Sequence, residues 1–179
     1  CLDGLKNMLQ LTLIDILDIN MNKSLQYLFI ESKGRPLEIS GIGKIYQIDE
    51  IKVDFSKIKI SFAEGNSTVT CGISLKLYNG YFNIGCNKKV SHLYIWDDKG
   101  LSKTITYDIT SLSNLNAILK VWNIYRIHHK SGLITEDQFT NNAGMLIESN
   151  STNQKIYHCS DGIGKFDLEN QVFKVEFIK

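Results

Sequence analysis

An unbroken alternation of apolar and polar residues over residues 69–77 constrains the fold of this chain more than any other feature. Every second residue is apolar: Val69, Cys71, Ile73, Leu75 and Leu77. Because successive side chains of a strand point to opposite faces of its sheet, this pattern predicts a strand with one buried face. Asn79-Gly80 follows, and this dipeptide favours the positive φ angles of a tight turn. We therefore predict a β-hairpin in which Leu77 faces Phe82 and the second strand continues to Cys86.

A second predicted hairpin has strands over residues 90–96 and 101–109, with a turn at Asp97-Asp98-Lys99-Gly100. If the apolar face of both hairpins is buried, the opposite face carries aromatic and polar side chains. Six of them are candidate partner-binding residues: Tyr78, Tyr81, Asn83, His92, Tyr94 and Trp96. Tyrosine and tryptophan offer a large rigid contact area with a polar atom, as protein-binding surfaces and sugar platforms do. The alternative is that these rings are ordinary cross-strand partners, or that another element covers them.

Three short words recur in the same order on either side of the hairpins. The first set is Phe29-Ile30-Glu31-Ser32, Gly41-Ile42-Gly43-Lys44 and Lys52-Val53-Asp54-Phe55, and the second is Ile147-Glu148-Ser149, Gly162-Ile163-Gly164-Lys165 and Lys174-Val175-Glu176-Phe177. Each set follows a stretch with helical spacing of apolar residues, at residues 2–20 and 112–131. These echoes predict two related units, at about residues 2–63 and 112–179. The alternative is two unrelated turns that use Gly-x-Gly in the same way.

The remaining predicted strands fall in consecutive runs and do not alternate with helices. They cover residues 25–32, 44–48, 51–55, 58–62, 145–149, 155–159, 165–168 and 172–178, and residues 135–142 are predicted as a short third helix. This order favours the α+β class with antiparallel sheet over a nucleotide-binding parallel sheet. The full prediction is one α+β domain over residues 1–179. In it, two related helix-plus-antiparallel-strand units are joined by a central block of β-hairpins at about residues 68–109.

Composition limits the classes of function. The chain has 179 residues and a formal net charge of +1, so no overall positive field attracts it to nucleic acid or to anionic membrane. Its longest apolar run, residues 11–17, is far shorter than the roughly 20 residues that span a bilayer. We therefore expect a soluble protein. Cys1 stands first, which fits a trimmed chain, removal of an initiator Met, or the lipid-bearing cysteine of a periplasmic or surface lipoprotein.

The sequence contains no clear catalytic, metal-binding or cofactor-binding motif. The four cysteines form no Cys-x-x-Cys pair, and the Gly-Ile-Gly-Lys words lack the other residues of a phosphate loop. His158-Cys159 suggests a hydrolase, but neighbours on a strand point to opposite faces, so Cys159 would need a distant histidine as its base. Of the adjacent His128 and His129, at most one can join a given metal site on a helix. Cys71 and Cys86 are expected to lie diagonally on one face and to form a disulfide only if a bulge at Gly72 brings them together.

The sequence therefore favours a non-enzymatic binding protein that recognises a macromolecular partner through the aromatic and polar sheet face. A protein partner is the first expectation, as in toxin-neutralising or immunity proteins, and a glycan is the second. No nucleic acid, metal or cofactor is expected. The alternative is a Cys/His-dependent hydrolase built on Cys159.

Overall fold

The structure is a computed structural model that describes residues 23–85, 88–98, 103–112 and 115–179. These residues form fourteen strands and one helix. The elements are α1 (Leu25–Glu31), β1 (Leu37–Ile39), β2 (Gly43–Tyr46), β3 (Asp49–Lys52), β4 (Lys57–Phe62), β5 (Thr70–Tyr78), β6 (Gly80–Ile84), β7 (Lys88–Val90), β8 (His92–Trp96), β9 (Thr104–Ser111), β10 (Ile118–His128), β11 (Ile134–Asp137), β12 (Gly144–Ser151), β13 (Gln154–Ser160) and β14 (Gln171–Ile178).

The predicted α+β class is wrong, because the described residues fold almost entirely into two antiparallel sheets. The nine-stranded sheet has the order β1-β2-β12-β13-β14-β4-β9-β6-β7. The five-stranded sheet has the order β11-β10-β5-β8, and β3 pairs with β10 beside β11. Among the described residues no helix has the length and apolarity needed to cross a membrane.

The two sheets pack face to face around one apolar core. Fully buried side chains come from the nine-stranded sheet, such as Ile60 and Val175, and from the five-stranded sheet, such as Ile73 and Leu75. Each such side chain contributes roughly 1.5–3 kcal/mol when it is removed from water. The chain crosses repeatedly between the two sheets, and each crossing adds another apolar strand face to the shared core.

The alternation in β5 is confirmed, but the hairpins built on it are wrong. Ile73 and Leu75 are fully buried, yet β5 pairs with β8 and β10, while β6 pairs with β7 and β9 in the other sheet. Asn79 adopts a φ of 55°, but Gly80 does not need a positive φ. A Cβ atom at Gly80 would lie 2.8 Å from the carbonyl oxygen of Thr110, so glycine is required there for close approach. The chain therefore uses Asn79-Gly80 as a corner between the sheets.

The second predicted hairpin fails in the same way, although its strands exist. β8 pairs with β5 in the five-stranded sheet, and β9 pairs with β4 and β6 in the nine-stranded sheet. β8 and β9 therefore lie in different layers of the sandwich, and Val90 belongs to β7 of the nine-stranded sheet. Local alternation identified each strand correctly, but neighbouring strands in sequence did not become neighbours in space.

The predicted helix at residues 112–131 is wrong, because residues 118–128 form the long strand β10. Residues 121–125 are buried on both faces of the five-stranded sheet, so their apolar run has no alternation and resembles helical spacing. The segment that follows β11 covers the outer face here: the Trp122 Nε1 atom donates to the Gln138 Oε1 atom at 2.7 Å, and the Phe139 ring lies 5.8 Å from the Trp122 ring. The predicted helix at residues 135–142 is thus β11 and this covering segment.

The predicted related units are wrong, since the recurring words lie in non-equivalent elements. Residues 29–31 belong to α1, whereas residues 147–149 belong to β12. Gly43 begins β2, whereas residues 162–165 form a loop, so the strand predicted at residues 165–168 is also wrong. Lys52 ends β3 in one sheet, and Lys174 lies in β14 of the other. The predicted helix at residues 2–20 lies outside the described residues.

Residues 25–32, predicted as a strand, form the helix α1. The Ser24 side chain caps it by accepting from the backbone N–H of Tyr27, and Leu25, Leu28 and Phe29 follow the spacing of one helix face. This face packs on Ile45 of β2, on the side of the nine-stranded sheet that points away from the sandwich core. The strands predicted at residues 145–149, 155–159 and 172–178 are confirmed as parts of β12, β13 and β14.

Candidate functional site

The six candidate binding residues do not share one face. Tyr78, His92, Tyr94 and Trp96 lie on the outer face of the five-stranded sheet, and Tyr81 and Asn83 lie on the outer face of the nine-stranded sheet. On that second face the Lys89 Nζ atom donates to the Tyr81 Oη atom at 3.0 Å, and the Asn83 side chain donates to the Thr110 hydroxyl at 3.1 Å. The outer faces of a two-layer sandwich point in opposite directions, so these two residues belong to a different surface.

Tyr94 is an exposed ring with a buried aromatic support. Tyr94 is 54% exposed, and its ring centroid lies 4.4 Å from the ring centroid of His92. The His92 ring lies 5.5 Å from the ring of Trp122, which is only 6% exposed. Trp122 is fixed in turn by Gln138 and Phe139. The stack holds Tyr94 in place while leaving it open to solvent.

His92 is an uncharged hydrogen-bonding group in this stack. Its Nε2 atom lies 2.7 Å from the Ser74 hydroxyl, and Ser74 is fully buried. Burial lowers the pKa of His92, and the nearby Lys76 charge lowers the pKa further. An imidazole whose pKa is below its ordinary value is neutral at pH 7, so His92 contributes a stacking surface and a hydrogen bond rather than a fixed charge.

Basic residues occupy three neighbouring positions across the sheet, which we call the basic row: Lys120, Lys76 and His92. Lys76 lies directly opposite Lys120 on one side and His92 on the other. Glu50 stands next to Lys120 in the same line, and the Lys120 Nζ atom lies 2.6 Å from its Oε1 atom. This contact with Glu50 raises the pKa of Lys120. Lys76 and Lys120 also flank Tyr78, with Nζ atoms 5.1 and 5.3 Å from the ring centroid.

Trp96, predicted as a binding residue of this face, is packed against other residues of the protein. The Arg126 guanidinium lies 4.0 Å above its ring, and Arg126 is held by Glu136 at 2.8 Å. The indole also packs directly over the Gly72 backbone, since a Cβ atom at Gly72 would lie 2.8 Å from the Trp96 Cε3 atom. Trp96 is therefore partly a packing residue, and Tyr94 and Tyr78 are the more accessible rings.

Asp49 and Glu50 are adjacent acidic residues of β3 with opposite roles. Glu50 points outward to Lys120, whereas Asp49 is buried in the interior. The Asp49 Oδ2 atom accepts from the Lys155 Nζ atom at 2.7 Å and from the Tyr157 Oη atom at 2.8 Å. Because Lys155 and Tyr157 lie in β13, these bonds connect β3 to the opposite sheet and hold Glu50 beside the basic row.

The geometry of the cysteines is unfavourable for the hydrolase alternative. Cys159 is fully buried, and burial raises the pKa of its thiol well above the ordinary value. Burial also raises the pKa of Cys71 to about 12. A nucleophilic cysteine needs an accessible thiolate, which both environments disfavour. His158 points to the other face, toward Glu148 and Glu169 at 3.8 and 3.4 Å.

The structure does not support the sheet geometry on which a disulfide between Cys71 and Cys86 was predicted. β5 and β6 lie in different sheets, so the sheet face that Cys71 was predicted to share with the β6 strand does not exist. Cys71 has a free thiol, and Cys86 lies outside the described residues. Within the described ranges, no group of three or more His, Cys, Asp or Glu residues is arranged to hold a metal ion.

Three residues of the surface were missed in the sequence because they were assigned to other elements. Lys120 and Arg126 fell on the predicted helix, and Glu50 lay just after the strand predicted at residues 44–48. The usable signal was composition: residues 121–127 contain β-branched and aromatic residues at five positions, Val121, Trp122, Ile124, Tyr125 and Ile127. Such enrichment favours a strand over a helix.

The outer face of the five-stranded sheet thus combines a supported exposed tyrosine, a second tyrosine between two ammonium groups, and the basic row. Tyrosine is one of the residue types that most often dominate the binding energy of protein interfaces. No protein-family model, curated protein or solved structure matches the chain.

Proposed function

We propose that this is a non-enzymatic binding protein that recognises a protein partner through the outer face of its five-stranded sheet. The observation that carries the proposal is Tyr94, which is 54% exposed although its ring rests on the stack of His92 and Trp122. An ordered exposed ring loses little conformational freedom on binding, so more of its contact energy becomes affinity. Tyrosines in such positions are frequent among the residues that dominate interface energies.

Tyr78 extends the contact surface. It is 41% exposed and lies one strand and four residues away from Tyr94 on the same face, because Tyr94 pairs with Ser74. Strand spacing and residue rise place the two Cα atoms roughly 14 Å apart, a span that an extended segment of about five residues covers. Two rings at this distance can contact one partner segment together, with Lys76 between them. A glycan that stacks on these rings is the second candidate, because the same exposed faces suit a sugar.

Site-specific photo-crosslinking tests the proposal. A benzophenone amino acid is placed at residue 94 or, as the matched control, at residue 81, in cells that make the protein. Tyr81 is also a partly exposed strand tyrosine, but it lies on the other sheet. We expect capture of a specific protein from position 94 and not from position 81. Equal capture at both positions, or capture at position 81 alone, would contradict the proposed face, and binding on a glycan array without protein capture would favour the glycan.

The captured partner then allows a quantitative test. Tyr94→Ala should weaken its binding by about 2 kcal/mol, or roughly 30-fold, while Tyr81→Ala leaves the affinity unchanged. Thermal melting of both variants should stay close to the parent protein, because an exposed ring contributes little to the core. If Tyr94→Ala binds as well as the parent, Tyr94 is not part of the interface.

A further inference from the structure

Lys76 occupies an electrostatically unfavourable position. Its cross-strand neighbours on the same face are Lys120 in β10 and His92 in β8. Lys76 and Lys120 are like charges directly opposite each other, which destabilises a sheet, whereas His92 is neutral at pH 7. Glu50 lies 2.6 Å from Lys120, but within the residues that the structure describes no carboxylate forms an ion pair with Lys76. The Tyr78 ring, 5.1 Å from the Lys76 Nζ atom, stabilises this ammonium in part, but no carboxylate of the described residues neutralises its charge.

Residues that break a local rule without a compensating contact often serve function. An anion placed over the basic row would offset the repulsion between Lys76 and Lys120. Both Nζ atoms lie over the Tyr78 ring, 5.1 and 5.3 Å from its centroid, so this ring borders the same position. Tyr94 borders the row on the other side, in line with Ser74. The result is a short cationic strip between two exposed aromatic rings.

We infer that the partner presents an acidic segment, with one or two carboxylate side chains seated over the basic row and apolar groups against Tyr78 and Tyr94. This inference rests on the proposed function and specifies the chemistry of the partner. The carboxylate would accept hydrogen bonds from the Lys76 and Lys120 ammonium groups, which are stronger than bonds between neutral groups. Glu50 limits the strip at one end, so the site accommodates few negative charges.

An acidic protein fits this strip better than nucleic acid does. Lys57 and Lys59 on the other outer face are paired with Asp108 and Glu176 at 3.0 and 3.1 Å, so they do not extend the positive surface. The net charge of the chain is only +1. Binding to a nucleic acid backbone depends on several successive phosphate contacts, which a single row does not supply.

The test is an NMR titration with an acetylated hexaglutamate peptide, with hexaglutamine as the uncharged control and a hexathymidine oligonucleotide as the phosphate control. We expect saturable amide shifts at Lys76, Lys120 and His92 that hexaglutamine does not produce and that added salt reduces. Lys76→Gln should weaken hexaglutamate binding about tenfold, the loss of one charge-assisted hydrogen bond. The matched control is Lys89→Gln, because Lys89 also lies over a tyrosine ring, 4.4 Å from that of Tyr81, on the opposite face.

Several results would overturn the inference. They are the absence of saturable shifts at the row with about 10 mM peptide, equal losses in the Lys76 and Lys89 variants, or tighter binding of the oligonucleotide at the same row. The same variants applied to the crosslinked partner separate this inference from the proposed function. If position 94 captures a protein whose affinity Lys76→Gln does not change, the acidic partner is refuted and the binding face stands. If position 94 captures nothing and the glycan array shows no binding, the binding face itself is refuted.

Discussion

Replacing Asp49 by alanine should destabilise the protein far more than removing an ordinary surface carboxylate. Asp49 is buried, and its Oδ2 atom accepts from Lys155 at 2.7 Å and from Tyr157 at 2.8 Å. In Asp49→Ala the Tyr157 hydroxyl, which belongs to a fully buried residue, loses its acceptor. An unsatisfied buried polar group costs about 1–3 kcal/mol. The Lys155 ammonium also loses its counter-ion.

The loss of the ion pair adds to this cost. Removing one partner of a buried pair costs about 3–5 kcal/mol when the other charge stays buried. The Lys155 side chain is 24% exposed, so it can turn partly toward water, and the lower end of this range applies. These contributions overlap, and we expect a total loss of about 3–4 kcal/mol of unfolding free energy. For a chain of this size, this corresponds to a decrease in Tm of roughly 6–16 °C.

Urea unfolding followed by tryptophan fluorescence, together with thermal melting, measures this loss. Asp54→Ala is the matched control, because Asp54 also pairs with a lysine, Lys179 at 3.8 Å, but both side chains are 71% exposed. An exposed pair of this kind contributes about 0–1 kcal/mol. Tyr157→Phe should cost about 1 kcal/mol, since it removes the hydroxyl and leaves the ion pair in place. If Asp49→Ala is no more destabilising than Asp54→Ala, the buried bridge between the sheets does not contribute as argued here.

Four further predictions concern the site and the core. In Lys76→Gln, an NMR titration should show a higher pKa for His92 than in the parent protein, because the Lys76 charge lowers that pKa. The pKa should stay below the ordinary value, because burial is the larger cause of its depression. An unchanged pKa would contradict the contact across the row. Because the folded-state pKa of His92 is lowered, protonation of His92 opposes folding. The free energy of unfolding should therefore fall as the pH drops below about 6.5 toward the folded-state pKa. This pH dependence, measured by urea unfolding, should be weaker in His92→Gln. Gly72→Ala should destabilise the protein by several kcal/mol or prevent folding, because the new Cβ atom would lie 2.6 Å from the Ile95 carbonyl oxygen and 2.8 Å from the Trp96 ring; near-normal urea unfolding would show that the strands can separate there. Finally, Cys159 should resist iodoacetamide in the folded protein and react after unfolding, as mass spectrometry would show, since the thiol is fully buried with a raised pKa.

The sequence by itself determined the strands whose two faces have different environments. In β5 the interior takes Ile73 and Leu75 while Lys76 stays outside, so alternation gave both the element and its orientation. The same applies to β4, β13 and β14, and the positive φ of Asn79 was evident from the residue type. These features depend on local geometry and on contact with water or core, which a single stretch of sequence records.

Tertiary structure alone decided which strands pair and which face is covered. A strand offers the same backbone hydrogen-bonding groups to any partner, so β5 could pair with β6 or with β10, and the shared core favoured the crossing. β10 carries apolar residues on both faces because Gln138 and Phe139 cover Trp122, and this loss of alternation made a strand resemble a helix. The basic row exists only because β3, β10, β5 and β8 place Glu50, Lys120, Lys76 and His92 in one line, although they are far apart in the chain. Long-range pairing of this kind depends on the joint packing of all the strands, and no local pattern encodes it.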